Sequence, residues 1–410
     1  MSKLALNLRI KGDYIDSFIY SGVLYLLDTD LKFKSYKWDD ICNFILERNR
    51  FRGINAKDIL KYVKDNRVNN NNNKTIDTEI NHKELKRLEK DSINIKYWPS
   101  DINLLSNKLY FSGDDGVYYI ETHHMTAKFE KTSKDNKIFG TKSFSISPNS
   151  HMRIALAAGT EGVFTSCFKF DKIRPEEKQI SKDSCIDIDW MNDTLFVNSD
   201  KLSINNFEKI LQKKDIESKE EYIDFKRNLL RDFDKENKNE LSISNHDYKK
   251  YLKSILNKDP EPINIKNKYK YGWSSGDCDF IIKNKNTILI LNKITGNIKK
   301  VNTGDVLSSL LKVRTSGCGT IMESKTGFLY LINENNNEKI SDDYVAWRVY
   351  PRAKNHAKHL HIVNDDNINI RVFNSDIISS ELSTFRSKND NDTDDIYKYK
   401  IQDLIKKIDK

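Results

Sequence analysis

Leu4, Leu6, Leu8 and Ile10 alternate with polar residues, which places four apolar side chains on one face of a strand. Downstream, a similar short unit recurs: a strand-like run, a tight turn with Gly, Asp or Asn, and a second run rich in Leu, Ile, Val and Tyr. Copies begin at Ser21-Gly22-Val23, Asp114-Asp115-Gly116-Val117, Thr160-Glu161-Gly162-Val163, Asn192-Asp193-Thr194, Lys285-Asn286-Thr287, Lys325-Thr326-Gly327-Phe328 and Asp366-Asn367-Ile368. Between turn residues 22, 116, 162, 193, 286, 327 and 367 the intervals are 94, 46, 31, 93, 41 and 40.

The two long intervals each hold a stretch patterned as helix. Over 41–93, Asp39 or Asp40 can cap a run with Ile41, Phe44 and Ile45, and Asn55 can cap a second with Ile59, Tyr62 and Val63. Five consecutive Asn at 69–73 follow; 68–81 is polar and without periodicity, with nothing evident to pack. Leu85 and Leu88 among Lys83, Lys86, Arg87 and Lys90 allow a third helix. Over 206–262, Ser218 and Glu221 have capping-box spacing ahead of Tyr222, Phe225, Leu229 and Phe233. A later run places Tyr248, Leu252, Ile255 and Leu256 on one side, before Pro260 and Pro262. These helices either fold back over the body or present an apolar stripe to a partner. The same two readings apply to a C-terminal helix within 391–410, carrying Ile401, Leu404, Ile405 and Ile408.

With both stretches set aside the period is about 40 residues, the length of one four-stranded propeller blade. The 31-residue interval is short for four strands, so the third or fourth blade is degenerate or an anchor is misplaced. On these repeats the chain resembles the seven-bladed β-propeller superfamily in a degenerate, WD40-like form. Trp38-Asp39 is the only Trp-Asp pair and no Gly-His occurs, so the resemblance implies the ring but not the WD40 hydrogen-bond network. It implies an all-β protein with helical insertions, forming a single propeller over 1–410. A pair of β-sandwiches or another solenoid is the competing architecture. Propellers commonly close by pairing one terminus into the blade made by the other, which assigns residues 3–10 a place beside the strands near 359–373. Leu6, Leu8, Val117, Ile288, Leu329 and Ile370 are the expected core.

Composition adds limits. Of 410 residues, 38% are apolar and 31% charged, with 19 Tyr and 19 Phe, which excludes wholesale disorder. No apolar run approaches the ~18 residues of a membrane helix, and the first residues alternate where a secretion signal has an apolar block. The five cysteines are far apart, as expected for reduced core thiols in a cytoplasmic, intracellular setting. The net charge of +9 permits contact with nucleic acid without requiring it.

Signals for catalysis are weak. No Walker A, GxGxxG or GxSxG pattern is present. His359 and His361 share a strand face, but no further ligand follows at a metal-site spacing, so no metal or other cofactor is assigned. The expected function is a non-catalytic scaffold for one or more protein partners within a larger complex, with no membrane. Arg314, Trp347, Arg348, Tyr350 and Arg352, read as exposed loop residues, are the partner-binding set, because Trp, Tyr and Arg dominate interface hot spots. One alternative is an RNA- or DNA-associated, ribonucleoprotein subunit, with Arg48, Arg50, Arg52, Lys57, Lys61, Lys64 and Arg67 tracking phosphates. The other is an enzyme with its site at the propeller channel.

Overall fold

A computed structural model describes all residues except 1–3, 50–55, 69, 71, 73, 131–135, 150–152, 168–176, 192, 209, 219–242, 267, 333–336, 375–398 and 410. The described strands form seven sheets, each built on four antiparallel strands; in six of them these run in sequence order from the inside out, and the seventh takes its fourth strand from the first residues of the chain. The innermost strands are Tyr14–Tyr20, Ile102–Leu105, Ser145–Pro148, Asp187–Trp190, Tyr269–Ser275, Leu310–Ser316 and Ala346–Val349. Each packs against the next, and the last packs against the first. The chain is therefore a seven-bladed β-propeller around a central channel.

Alternating apolar residues explain this closure. A blade has two apolar faces and cannot bury both alone, so each lies against a neighbour. The resulting cores sit mostly between blades: Tyr271, Trp273, Ile282 and Ile288 of blade 5 pack with Val313, Met322 and Ile332 of blade 6. Leu6, Leu8, Val117, Ile288, Leu329 and Ile370 are all buried.

The seam is closed by the amino terminus. Leu4–Lys11 pairs antiparallel with Asn367–Phe373, placing Leu8 opposite Ile370 and Ile10 opposite Ile368. The uneven turn spacing also has a structural cause. Turns 116, 162, 286, 327 and 367 join the second and third strands of their blades, whereas 22 and 193 join the first and second. The short interval thus reflects a misplaced anchor; blade 4 has its full four strands. At Gly162, φ is +92° and an added Cβ would stand 2.1 Å from the Ser181 carbonyl oxygen, so this turn excludes any side chain.

The first interruption spans 38–88, because Glu89–Asn94 is the outermost strand of blade 1. It holds helices α1 (Trp38–Asn49), α2 (Ala56–Lys64) and α3 (His82–Leu88), the last with an Asn81/Glu84 capping box. One expectation fails here. Within 68–81, Ile76–Ile80 is a strand that pairs in parallel with Leu4–Lys11 and buries Ile76 and Ile80. Its two apolar ends are too few to show a period, and a polar edge strand looks like loop in sequence. The second interruption, 207–260, holds α4 (Lys213–Ser218) and α5 (Asn245–Leu256). Tyr251, Leu252, Ile255 and Leu256 of α5 bury with Ile210, Ile216 and Ile243 in a separate small core. The expected helix over Tyr222–Phe233 lies outside the described residues. The last helix, α6 (Ile401–Asp409), folds back: Ile401, Leu404 and Ile405 join the core of blades 4 and 5.

Ile80→Ala is expected to lower unfolding free energy by about 2–5 kcal/mol, since it empties a fully buried site beside the seam. Asp77→Ala, on the exposed side of the same strand, should stay within about 0.5 kcal/mol of wild type. Urea denaturation of both variants checks this, and equal stability would show the parallel strand to be dispensable.

Candidate functional site

The innermost strands carry their charged side chains to the channel, where two arginines tie blades together. Arg348, on blade 7, donates from Nε and Nη2 to the two carboxylate oxygens of Asp16 on blade 1, at 3.1 and 2.5 Å. Its Nη2 also reaches Asp101, at the start of blade 2, at 3.2 Å. Asp101 in turn accepts from the Ile146 amide of blade 3 at 2.7 Å. One guanidinium thus links blades 7, 1 and 2, and through Asp101 blade 3. Burial disfavours its charge, but Asp16 and Asp101 outweigh that and raise the Arg348 pKa.

Arg314, on blade 6, makes the matching connection to blade 4. Its Nη2 donates to Asp187 at 2.7 Å and to the Ile188 carbonyl at 2.9 Å, and its Nε stands 3.6 Å from Asp189. Asp187 also accepts from the Tyr271 hydroxyl and from Asn198 Nδ2. Burial opposes ionisation of Asp187, yet the charges of Arg314 and Lys312 with these hydrogen bonds hold its carboxyl below the ordinary range. The Tyr271 hydroxyl is pushed well up, by burial first and by Asp187 second.

Between the two clusters lies a cavity of about 390 Å³, lined by innermost-strand residues of blades 1, 2, 3, 4, 6 and 7. All five residues of the expected partner-binding set border it. They are not exposed loop residues, which corrects the sequence reading. Arg314, Trp347 and Arg348 lie on strands, and Trp347 and Tyr350 are buried. Trp347 donates to Glu323 at 2.9 Å and belongs to the core of blades 6 and 7. Tyr350 packs edge-on against Phe18 and His361. Arg352 begins a loop that crosses the far end of the channel and donates to the Trp190 carbonyl of blade 4. Burial lowers its pKa to about 10; Asp189 resists the shift and Arg314 adds to it.

The first interruption pins this crossing loop. Asn66, just beyond α2, donates its amide to the Asn355 carbonyl at 3.0 Å and accepts from the Lys358 amide at 2.9 Å. Behind it lie His356, His359 and His361, with ring centroids 5.0 Å apart for the first pair and 6.0 Å for the second. His359 donates from Nε2 to the Val63 carbonyl of α2, and His361 pairs through Nδ1 with the Ser17 hydroxyl. Among the described residues, no group of three or more His, Cys, Asp or Glu side chains is arranged to hold a metal ion.

Three of the five described basic residues of the alternative reading have acid partners. Arg48 pairs with Glu84, Lys64 with Asp39, and Arg67 with Asp65. Lys57 and Lys61 are exposed on α2, while Arg50 and Arg52 lie outside the described residues.

Sequence reasoning missed Asp16, Asp101, Asp187 and Asp189, which were lost among 60 acidic residues. It also missed a second pattern. Six large apolar residues are conspicuously exposed among those described: Trp98, Met125, Phe144, Ile186, Leu311 and Val345. All but Met125 stand within four residues of the start of an innermost strand, in blades 2, 3, 4, 6 and 7. Because the blades share one strand order, those starts share one rim of the ring. Aligning the blades by strand would have shown it; aligning by turn anchors hid it.

No protein-family model matches the chain, and no curated protein matches it. Solved structures give distant likenesses. A Bacteroides fragilis protein provisionally named a 6-phosphogluconolactonase has 8% identity and a TM-score of 0.40, over 67% of this chain and 79% of its own. The Dos1 propeller has 9% identity and a TM-score of 0.42, over 91% and 80%. The Neurospora crassa Pan2 WD40 domain has 8% identity and a TM-score of 0.42, over 88% and 89%. Likenesses at these scores carry no argument about activity or partners. The propeller fold stands on strand order and ring closure.

The histidine cluster makes stability depend on pH. Burial first, with the Asp65 and Asp39 charges resisting, brings His356 down to about 4; burial and the charge of His356 bring His361 down to about 3. His359 is lowered well below 6.5 by burial and by both neighbours. The unfolded chain takes up these protons near pH 6.5 and the folded chain does not, so stability is full above that value and falls as pH drops toward 4. The unfolding free energy from urea denaturation should fall between pH 7 and 5, by up to about 2 kcal/mol per histidine at pH 5. His361→Phe should flatten the slope, and an unchanged slope would place the titration elsewhere.

Proposed function

We propose that this propeller is a non-catalytic scaffold that docks a protein partner on the rim where the innermost strands begin. The observation that carries this reading is the recurrence of Trp98, Phe144, Ile186, Leu311 and Val345 near the start of the innermost strand in five blades. Scattered exposed apolar residues are ordinary on a soluble surface; the same exposure repeated around one rim is the pattern of a contact surface.

Two further observations support scaffold over enzyme or nucleic-acid subunit. Asp16, Asp101, Asp187 and Asp189 are each engaged by arginine, which suits them to holding blades together more than to moving protons. Of the five described basic residues of the nucleic-acid reading, Arg48, Lys64 and Arg67 each pair with an acid, which weakens it. An intracellular complex is the setting this reading fits.

The test is affinity purification of the tagged chain from its native lysate, with and without nuclease. Wild type should retain its partners after nuclease treatment. A Trp98→Ser, Phe144→Ser, Leu311→Ser variant should lose them while melting within a few degrees of wild type, because exposed substitutions cost little. Met125→Ser, on a different set of turns, should retain them. Retention by the rim variant would refute the docking face, and release by nuclease would favour the nucleic-acid reading.

A further inference from the structure

The charges around the channel cavity are unequally shared. Arg348 lies between Asp16 and Asp101, and Arg314 between Asp187 and Asp189. Arg352 is left over. Among the described residues its one hydrogen bond is to the Trp190 carbonyl, and no carboxylate lies within ion-pair distance. A guanidinium carries five N–H donors in a planar fork, so most of this one is available to whatever occupies the cavity. Lys312 is a second cation on the wall with no carboxylate at ion-pair distance among the described residues; its Nζ sits 5.8 Å from the Trp347 ring centroid.

Size and lining narrow the occupant. A cavity of about 390 Å³ is within the range of small-molecule sites, and Phe18 and Leu105, both half-buried, give it an apolar side. Asp101 and Asp189, also on the wall, repel a second negative charge. A monoanionic carboxylate on an apolar body fits this balance; a phosphate dianion does not. We propose that the channel cavity is a carboxylate-binding site, with the carboxylate on the Arg352 fork and the apolar body against Phe18 and Leu105. The group belongs either to a small organic acid or to an acidic side chain of the segment docked on the rim; only the second source rests on the docking reading.

Isothermal titration calorimetry on the full chain tests this with five probes: 3-phenylpropionate, the uncharged 3-phenylpropionamide, inorganic phosphate, and blocked Phe-Glu-Phe and Phe-Gln-Phe tripeptides. The acid form of the small molecule or of the peptide should bind at least about tenfold more tightly than its amide form, and more tightly than phosphate. Arg352→Gln should abolish that preference. Preference by the free acid assigns a small-molecule source, and preference by the peptide alone assigns the partner's side chain. Equal binding of acid and amide, no binding of either acid, tighter binding of phosphate, or a preference that survives Arg352→Gln would overturn the proposal. If Arg352→Gln does not fold, the acid-against-amide comparison on wild type decides by itself. The rim variant should keep the free-acid preference, so loss of partner capture and loss of carboxylate binding are read separately.

Discussion

Everything in this molecule depends on pairing Leu4–Lys11 with Asn367–Phe373. A propeller has no edge as a ring, but each blade is an open sheet, and the chain must begin and end somewhere. Lending the first strand to the last blade converts that weak point into a full ladder of hydrogen bonds between residues far apart in sequence. The strand is then covered on its other side by Ile76–Ile80, with Glu79 near both Arg9 and Lys11. The seam is a five-stranded sheet, and its outermost strand comes from a segment whose composition suggests loop.

Closure determines what can happen at the centre. Seven innermost strands brought side by side place their polar residues in a narrow space, where unpaired charges are expensive. The chain answers with arginines that each bridge two aspartates on other blades. Arg348 spans the seam from blade 7 to blades 1 and 2, and Arg314 reaches from blade 6 to blade 4 with Tyr271 of blade 5 beside it. These contacts fix blade-to-blade register while leaving a cavity between them. The loop carrying Arg352 limits that cavity at one end, and α2 holds the loop in place through Asn66. An interruption of the repeat is therefore part of the channel's architecture.

The two interruptions differ in how they relate to the ring. The first is woven into the seam: Tyr62 of α2 donates to the Phe373 carbonyl, and Trp38 of α1 to the Val63 carbonyl while packing on His359. The second builds a small core of its own and meets blade 3 through Arg153, which donates to the Glu208 and Ile255 carbonyls. Blade 4 keeps its outer strand on the far side of this excursion, because Glu261–Ile263 returns to pair with Leu202–Asn206. The repeat tolerates both because each leaves and re-enters between the third and fourth strands of a blade, away from the channel.

Alternation and turn chemistry by themselves determined much of this. Leu6, Leu8, Val117, Ile288, Leu329 and Ile370 were identifiable as core because strand periodicity is local, and Gly162 as a turn because only glycine accepts its backbone angle and crowding. The ring and the strand shared between termini followed from counting the repeat. Tertiary structure alone decided the site. Arg314 and Arg348 were visible as arginines, but their aspartates lie 127 and 332 residues away, at separations that no local pattern encodes. Residues read as exposed proved to wall a cavity, and the rim of exposed apolar side chains appeared only when blades could be superposed strand by strand. Local backbone preferences act over a few residues, whereas a channel is made by seven segments that meet only after the ring has closed.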